Sequence, residues 1–336
     1  MLMYTVRRLL LLPPVLLAAA VFVFVAVDVT GDPITELRLS SPEISEAALQ
    51  AEAERLYLDR SMPERFWLWT TGIGGDGDIG LLQGEFGPST RGTAFDIGEQ
   101  VSDRVGITVR LVAAALSMAI GLAILFGVIS ALRQYSAVDY GLTLIAFVAL
   151  AMPTFWIGLL FQQAGVWLND LLGRTIFYTV GATSADTRGF TSWEAFLDAG
   201  AHLILPTLAL MLTGFAQLSR YQRASMLEVL NSDYVRLARA KGLRNRVVVR
   251  RHALRTALIP VTTLSLLLIA GAIDGVVLIE TVFQWRGLGT FFVESVANND
   301  TYAVMGWLML SGIVVIIGNL IADLLYAVLD PRIRYE

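Results

Sequence analysis

NSDYVRLARAKGLRNRVVVRRHALRTALIP, residues 231–260, places eight Lys and Arg side chains between two long apolar segments. Charged side chains are costly in the hydrocarbon core of a bilayer, so this stretch must lie at a membrane surface. Cytoplasmic loops of membrane proteins carry such an excess of positive charge. The stretch is also patterned like a helix, which indicates an element that another protein binds.

Composition indicates a polytopic membrane protein. Hydrophobic residues make up 55% of the chain, charged residues make up 16%, and the mean hydropathy is +0.63. Soluble domains carry about 25% charged residues. The net charge of −4 gives no sign of nucleic-acid binding. The chain has no cysteine, which excludes disulfides, thiolate metal sites and thiol nucleophiles.

Six stretches are long and apolar enough to be transmembrane helices. About 20 apolar residues at a rise of about 1.5 Å each span a hydrocarbon core of about 30 Å. The sequence therefore predicts an all-α fold with six transmembrane helices, the third of which contains Pro153. The predicted spans are Leu9–Val27, Thr108–Leu132, Tyr140–Phe161, His202–Leu218, Val261–Ile279 and Tyr302–Leu329.

The distribution of arginine predicts the orientation. Arg7 and Arg8 precede the first span and Arg133 follows the second, which places these positions in the cytoplasm together with the basic stretch. Residues 28–103 contain fifteen acids against five arginines, so we expect a small extracytoplasmic lobe there. Both termini are then cytoplasmic.

This orientation divides the chain into an N-terminal transmembrane helix at 1–27, the lobe at 28–103 and a membrane core at 104–336. A cleaved signal peptide is the alternative for the first segment. Its apolar run is long for a signal peptide, and no A-x-A site precedes the acidic loop.

Local signals within the lobe predict one helix and one turn. Ser41 reads as an N-cap for a helix from Pro42 to about Leu56. Phe66, Trp67 and Trp69 form an aromatic group suited to headgroup level. In GIGGDGDIG, residues 72–80, two aspartates are spaced like the start of a calcium loop, but the ligand set is incomplete and a flexible turn is favoured.

The basic stretch itself predicts a short helix followed by a second one. Ser232 is a plausible N-cap, Asp233 favours the positive end of a helix dipole, and Gly242 suits the left-handed position that ends a helix. We expect the second helix to run from beyond Asn245 to Pro260.

Small side chains on the first of these helices would allow close approach by a partner's groove. They belong to Ala238, Ala240 and Gly242, and Arg236, Arg239 and Lys241 offer charged contacts around them. A surface helix held by lipid phosphate is the alternative.

These residues also carry a family resemblance that covers essentially the whole chain. DYVRLARAKGL, residues 233–243, resembles the peptide-permease form of the cytoplasmic EAA loop, and RHALRTALIP continues it. The chain thus resembles a permease subunit of the dipeptide, oligopeptide and nickel group of bacterial ABC importers, with the type I importer fold. Further matching pieces in the expected order are VRRLLLLPPVLL, GEFGPS, AMPTFWIGLL, HLILPTLAL, IETVFQWRGLG and NLIADLLYAVLDPRIR.

Some positions depart from the family pattern. Arg236, Leu237 and Ala238 stand where the general motif has Glu-Ala-Ala, although this is usual in the peptide group. Residues 72–83 and 162–190 match the family poorly. Because these two segments face outward in the predicted topology, they bear on the substrate and on docking of a binding protein.

The resemblance implies that this chain is a transport subunit and not an enzyme. A Walker A loop needs Gly-Lys-Ser/Thr, whereas the only lysine, Lys241, stands between Ala240 and Gly242. The chain itself then needs no cofactor, and ATP is bound by partner subunits. The implied partners are a second homologous permease, two ATP-binding subunits or domains, an extracytoplasmic solute-binding protein and membrane lipid.

The implied location is the bacterial inner membrane, and the implied substrate is a peptide, with a nickel chelate or another solute as alternatives. Within the coupling loop, residues 228–260, the resemblance makes two residues the centre of the ATPase contact. These are Ala238 and Gly242, and Tyr234, Arg236, Arg239 and Lys241 lie around them.

An ion-coupled secondary carrier is the competing class. Its support is Asp274, Glu280 and Asp323, acids within or near the last two spans. Asp274 stands beside Gly271 and Gly275, so it either lines the translocation path or forms hydrogen bonds at a helix interface. An enzyme has less support, because His202 and His252 lie far apart and suggest no catalytic or metal site.

Overall fold

The structure is a computed structural model that describes residues 2–185 and 190–329. Within these ranges the side chains of 2–9, 11, 12, 266, 267, 269–275, 319 and 321–329 are not described.

The described residues are mostly helical, with very little strand. One short antiparallel pair joins β1 (Ile79–Gly80) to β2 (Glu85–Phe86). The helices of the first third of the chain are α1 (Leu2–Thr30), α2 (Pro33–Ser40), α3 (Glu46–Arg55), α4 (Met62–Thr71) and α5 (Ile97–Leu132). Those that follow are α6 (Ala137–Ala151), α7 (Thr154–Leu172), α8 (Ser192–Leu230), α9 (Asp233–Ala240), α10 (Asn245–Val247), α11 (Leu254–Val282), α12 (Leu288–Ala297) and α13 (Thr301–Leu329).

Four described helical stretches are long and apolar enough to cross a membrane. They are Pro13–Ser40, Ile97–Leu132, Ser192–Leu230 and Thr301–Gly318. The predicted fifth span, 261–279, lies inside α11, a helix of 29 residues. The helices extend beyond the predicted spans, because hydropathy marks only the part of a helix that matches the hydrocarbon core.

The predicted third span, 140–161, is not one continuous helix. α6 ends at Ala151 and α7 begins at Thr154, and the direction of the chain bends by 113° between the two helices. Met152 has the extended conformation, with φ −91° and ψ 136°. Pro153 causes the break, because its ring excludes the helical conformation from the preceding residue and it has no backbone N–H to donate.

Contacts divide the chain into two compact units, and these cross the predicted domain boundaries. One comprises Met1–Thr108 with Arg286–Ile317, and the other comprises Val109–Trp285 with Gly318–Glu336. Residues 28–103 therefore do not pack alone. In the first unit they share a core with α1, with α12 and with the first half of α13.

Contacts with α1 hold the acidic loop in the first unit. The ring of Phe66 meets that of Phe24 edge to face, with 5.4 Å between centroids. Arg65 forms an ion pair with Asp28 at the end of α1. The loop is also bound to the residue just before α13, because the hydroxyl of Ser89 donates to the buried carboxylate of Asp300.

The structure corrects two details predicted for this loop. The N-cap of α3 is Ser45, whose hydroxyl accepts the amide N–H of Ala48 at 3.2 Å, so the helix begins four residues later than the one predicted from Ser41. The predicted aromatic group is also divided. Trp69 is fully buried in the core, whereas Trp67 is 59% exposed.

The glycine-rich stretch at residues 72–80 forms a set of turns closed by a tyrosine. The hydroxyl of Tyr57 donates to the carboxylate of Asp78 at 2.6 Å and accepts the amide N–H of Asp76 at 3.1 Å. Burial and the bond to Asp78 raise the pKa of Tyr57 to about 12. Among the described residues, no group of three or more acidic, His or Cys side chains is placed to hold a metal ion.

In the second unit a buried ion pair joins α6 to α8. Nε and Nη2 of Arg223 donate to the two carboxylate oxygens of Asp139 at 2.7 and 2.8 Å. Ser130 at the end of α5 and the amide N–H of Tyr135 also donate to this carboxylate. Asp139 therefore connects α5, α6 and α8 through four hydrogen bonds.

A segment after α7, residues 174–185, is held by hydrogen bonds from helix side chains. The amide of Asn169 accepts from Ile176 and Phe177 and donates to the carbonyl of Phe177. Gln162 donates to the carbonyl of Thr179 at 3.0 Å. Residues 162–185, which comprise the end of α7 and this segment, therefore have a defined structure.

We predict that Asp139→Asn destabilises the protein by about 3–5 kcal/mol, because it leaves the guanidinium of Arg223 without its counter-charge in a mostly buried site. Thermal unfolding of the purified full-length chain in detergent measures the change. Asp233→Asn is the matched control, because its partner Arg236 is 3.7 Å away and both side chains are exposed. Equal melting temperatures for the two variants would contradict a structural role for the Asp139 ion pair.

Candidate functional site

The basic stretch contains α9, a helix of eight residues that lies between Ser232 and Lys241. Ser232 is its N-cap residue, with φ −71° and ψ 153°, as predicted. Its hydroxyl does not cap the helix, however, but donates to the carbonyl of Val229 at 2.6 Å. Asp233 lies in the first turn and Arg239 in the last, so both charges interact favourably with the helix dipole.

The inner face of α9 packs on the ends of its neighbouring helices. Val235 is fully buried and Ala238 is 5% exposed. Both belong to one apolar cluster with residues of α5, α8 and the chain after α9. The other buried members are Ala131, Met226, Val229, Val248, Ala253 and Ala257. Because four of the eight members are alanine, the backbones of these helices approach closely.

The outer face of α9 carries two large side chains with basic groups beside them. Tyr234 is 44% exposed and Leu237 is 56% exposed. Arg236, Arg239 and Lys241 are exposed next to them. Tyrosine and arginine are enriched at protein-binding surfaces, so this face is suited to contact with a protein.

The structure changes the role predicted for Ala238. The sequence places Ala238 at the centre of a partner contact, whereas its side chain faces the core of this chain. A helix can turn only one face outward, and the burial of Val235 selects which one. Tyr234 and Leu237 are therefore the large exposed side chains of α9, which the small-residue pattern did not indicate.

The left-handed conformation predicted for Gly242 is confirmed. Its φ is +75°, and its backbone N–H donates to the carbonyl of Arg239 at 2.9 Å. A Cβ atom at this position would meet nothing within 4 Å. Gly242 is thus required for its backbone conformation and not for lack of space within this chain.

The helices after Gly242 form one helical run from Asn245 to Val282. α10 leads into a π-helical segment, Val248–Ala253, and this leads into α11. The sequence predicts that the helix ends at Pro260, but α11 continues through this proline. π-helical segments occur often at functional sites, and no residue pattern in the sequence predicts this one.

The charges of this region are largely free of acidic partners. Arg236 pairs with Asp233 at 3.7 Å in an exposed position. The other Lys and Arg side chains of residues 231–260 make no ion pair with any side chain that the structure describes, and they are exposed. These are Arg239, Lys241, Arg244, Arg246, Arg250, Arg251 and Arg255.

The remaining candidate residues do not form a second site in the described structure. The side chains of Asp274 and Asp323 lie outside the described residues. Glu280 is fully buried near the end of α11. His202 stacks on Tyr178, with 4.0 Å between ring centroids, and His252 lies in the π-helical segment.

Comparison with known proteins gives full-length relatives. The oligopeptide transport system permease protein AppB of Bacillus subtilis is 38% identical over 333 residues, 99% of each chain. The oligopeptide transport system permease protein OppB of Mycobacterium tuberculosis is 34% identical over 331 residues, 98% of each chain. The di/tripeptide transport system permease protein DppB of Pseudomonas aeruginosa is 34% identical over 351 residues, 100% of each chain.

The matched family covers most of the membrane core. Residues 123–335 match the family described as the inner membrane component of binding-protein-dependent transport systems. This range includes α9, the buried cluster beneath it and the helical run from Asn245 to Val282. The chain therefore belongs to the family of binding-protein-dependent transport system inner membrane components.

Proposed function

We propose that this chain is a permease subunit of an ATP-driven peptide importer in a bacterial inner membrane. The exposed face of α9, held in place by a buried inner face, carries this proposal. The relatives are permease proteins of oligopeptide, dipeptide and di/tripeptide transport systems, which favours a peptide as substrate. A nickel chelate or another solute is the alternative substrate.

The proposed complex contains two permeases and supplies ATP from other subunits. A second homologous permease forms the translocation path together with this chain, and two ATP-binding subunits or domains supply the energy. A solute-binding protein delivers peptide from outside. In this arrangement the chain has six transmembrane spans, cytoplasmic termini and an extracytoplasmic lobe at 28–103, and Asp274 remains a candidate for the path.

The proposed coupling site is the exposed face of α9 with its basic rim. Tyr234 and Leu237 enter a cleft of the ATP-binding subunit, and Gly242 keeps the chain close to the cleft's edge. Arg236, Arg239 and Lys241 meet acidic groups of the partner, because a rim of unpaired positive charge is complementary to negative charge. Ala238 contributes by holding the helix from its inner side.

Coupling in this proposal is mechanical. Closure of the ATP-binding subunits moves α9, and the buried cluster transmits this motion to α8 and to the run 245–282. The spans then change between inward-open and outward-open arrangements. No covalent step occurs on this chain.

We expect peptide uptake by the reconstituted complex to require ATP hydrolysis. Radiolabelled oligopeptide uptake into proteoliposomes measures this directly, with the binding protein added outside. Uptake should continue when an ionophore removes the proton gradient, and excess unlabelled peptide should compete where a nickel chelate does not. Uptake that persists without ATP and stops with the gradient would instead establish an ion-coupled carrier.

We expect Gly242→Asp to reduce peptide-stimulated ATP hydrolysis by about tenfold or more, which corresponds to about 1.4 kcal/mol of lost docking energy. The added carboxylate would repel the acidic groups proposed for the partner. Gly242→Asn is the control, because Asn has nearly the same size and tolerates a left-handed backbone at least as well. Equal ATPase rates for the two variants would contradict charge repulsion at residue 242. Ala238→Glu is a poorer test, because it places a charge in the buried cluster.

The proposed orientation can be tested by labelling, because the chain has no cysteine of its own. Single cysteines at Ile73 in the lobe and at Gln134 between α5 and α6 occupy exposed positions. In spheroplasts, an impermeant maleimide should label Ile73→Cys and should label Gln134→Cys only after permeabilisation. Labelling of Gln134→Cys in intact spheroplasts would reverse the proposed topology.

A further inference from the structure

A cleft opens between α5, α6 and α8 within the second compact unit. Its enclosed part is small, about 20 Å³, and the rest is open to the surroundings. Phe126, Leu142 and Phe215 line its apolar side, and Ser219 and Arg220 lie on its polar side. The cleft therefore combines an apolar floor with one polar edge.

Two arginines reach this cleft, but only one has its charge compensated. Arg223 is bound by the carboxylate of Asp139 through two hydrogen bonds. Arg220 makes no ion pair with any acidic side chain in the described parts of the chain, and it is exposed. Its Cζ atom lies 4.6 Å from the ring centroid of Phe147, which holds the guanidinium against an apolar surface.

The surface around Arg220 is apolar. Tyr140, Leu144, Phe147 and Val148 are exposed on one face of α6, at spacings of four, seven and eight residues from the first. Such a stripe on a membrane-spanning segment suits contact with acyl chains. Arg220 follows the apolar stretch 202–218 by two residues, so its guanidinium can reach headgroup level from the end of the span.

We propose that Arg220, at the rim of this cleft, binds the phosphate of one anionic phospholipid. The phosphate accepts hydrogen bonds from the guanidinium of Arg220, and an acyl chain lies along the exposed face of α6. An anion is favoured because Arg220 pairs with no acidic side chain that the structure describes, and arginines at headgroup level attract anionic lipids. A lipid is required because the anion site continues directly into an apolar surface.

The proposal does not depend on the assignment of this chain as a peptide permease. It depends on the charge of Arg220 and on the apolar stripe beside it. A competing occupant is the second permease, whose acidic side chain would take the place of the phosphate.

Native mass spectrometry of the purified full-length chain tests the proposal by counting bound lipids. Phosphatidylglycerol is titrated in detergent, with phosphatidylcholine as the neutral reference. We expect one phosphatidylglycerol to bind more tightly than the others, and Arg220→Gln to weaken this site about tenfold. Arg133→Gln is the matched control, because Arg133 is an exposed arginine at the end of α5 that does not line the cleft.

Three results would overturn the proposal. One is equal binding of the two lipids by the unaltered chain, and another is the same loss of phosphatidylglycerol in Arg220→Gln and Arg133→Gln. The third is binding that Arg220→Gln leaves unchanged. Arg220→Lys controls for misfolding of Arg220→Gln. It keeps the positive charge but loses the planar contact with Phe147, and we expect it to retain most of the tight binding.

Discussion

The burial of Val235 and Ala238 is the contact on which the position of α9 depends. An eight-residue helix is too short to be stable alone in water, so α9 exists because its inner face is covered. Its cover comes from α8 and from the helical run after Gly242. This packing fixes which residues of α9 are exposed, and it connects them to α8 and to the helical run from Asn245 to Val282.

Small residues and the Asp139–Arg223 ion pair hold helices of the second unit together. Alanines at 131, 238, 253 and 257 allow the helix ends to approach closely, so a movement of α9 cannot be absorbed by loose side chains. On the other side of α8, Arg223 binds Asp139 and fixes the start of α6. A force applied to α9 therefore acts on helices that are already joined to one another within this unit.

The first unit shows where local sequence patterns stop being informative. The sequence predicts a helix from Ser41, but Ser45 caps α3, because both serines are equally suitable N-caps and only the surrounding packing distinguishes them. Trp67 and Trp69 look alike in the sequence, yet one is exposed and the other is fully buried. The bond from Ser89 to Asp300 joins residues more than two hundred positions apart, and no local pattern predicts it.

The sequence by itself determined the class of this protein, because helical segments that cross a membrane must be apolar along their length, and charged loops must remain outside. It also determined where α9 begins, at Ser232, and the left-handed conformation of Gly242 that follows the helix, since both depend on local residues. The tertiary structure alone decided that Ala238 faces inward, that the break at Pro153 becomes a bend of 113° and that α11 continues through Pro260. Those outcomes depend on which helices pack together, and residue type does not specify that packing.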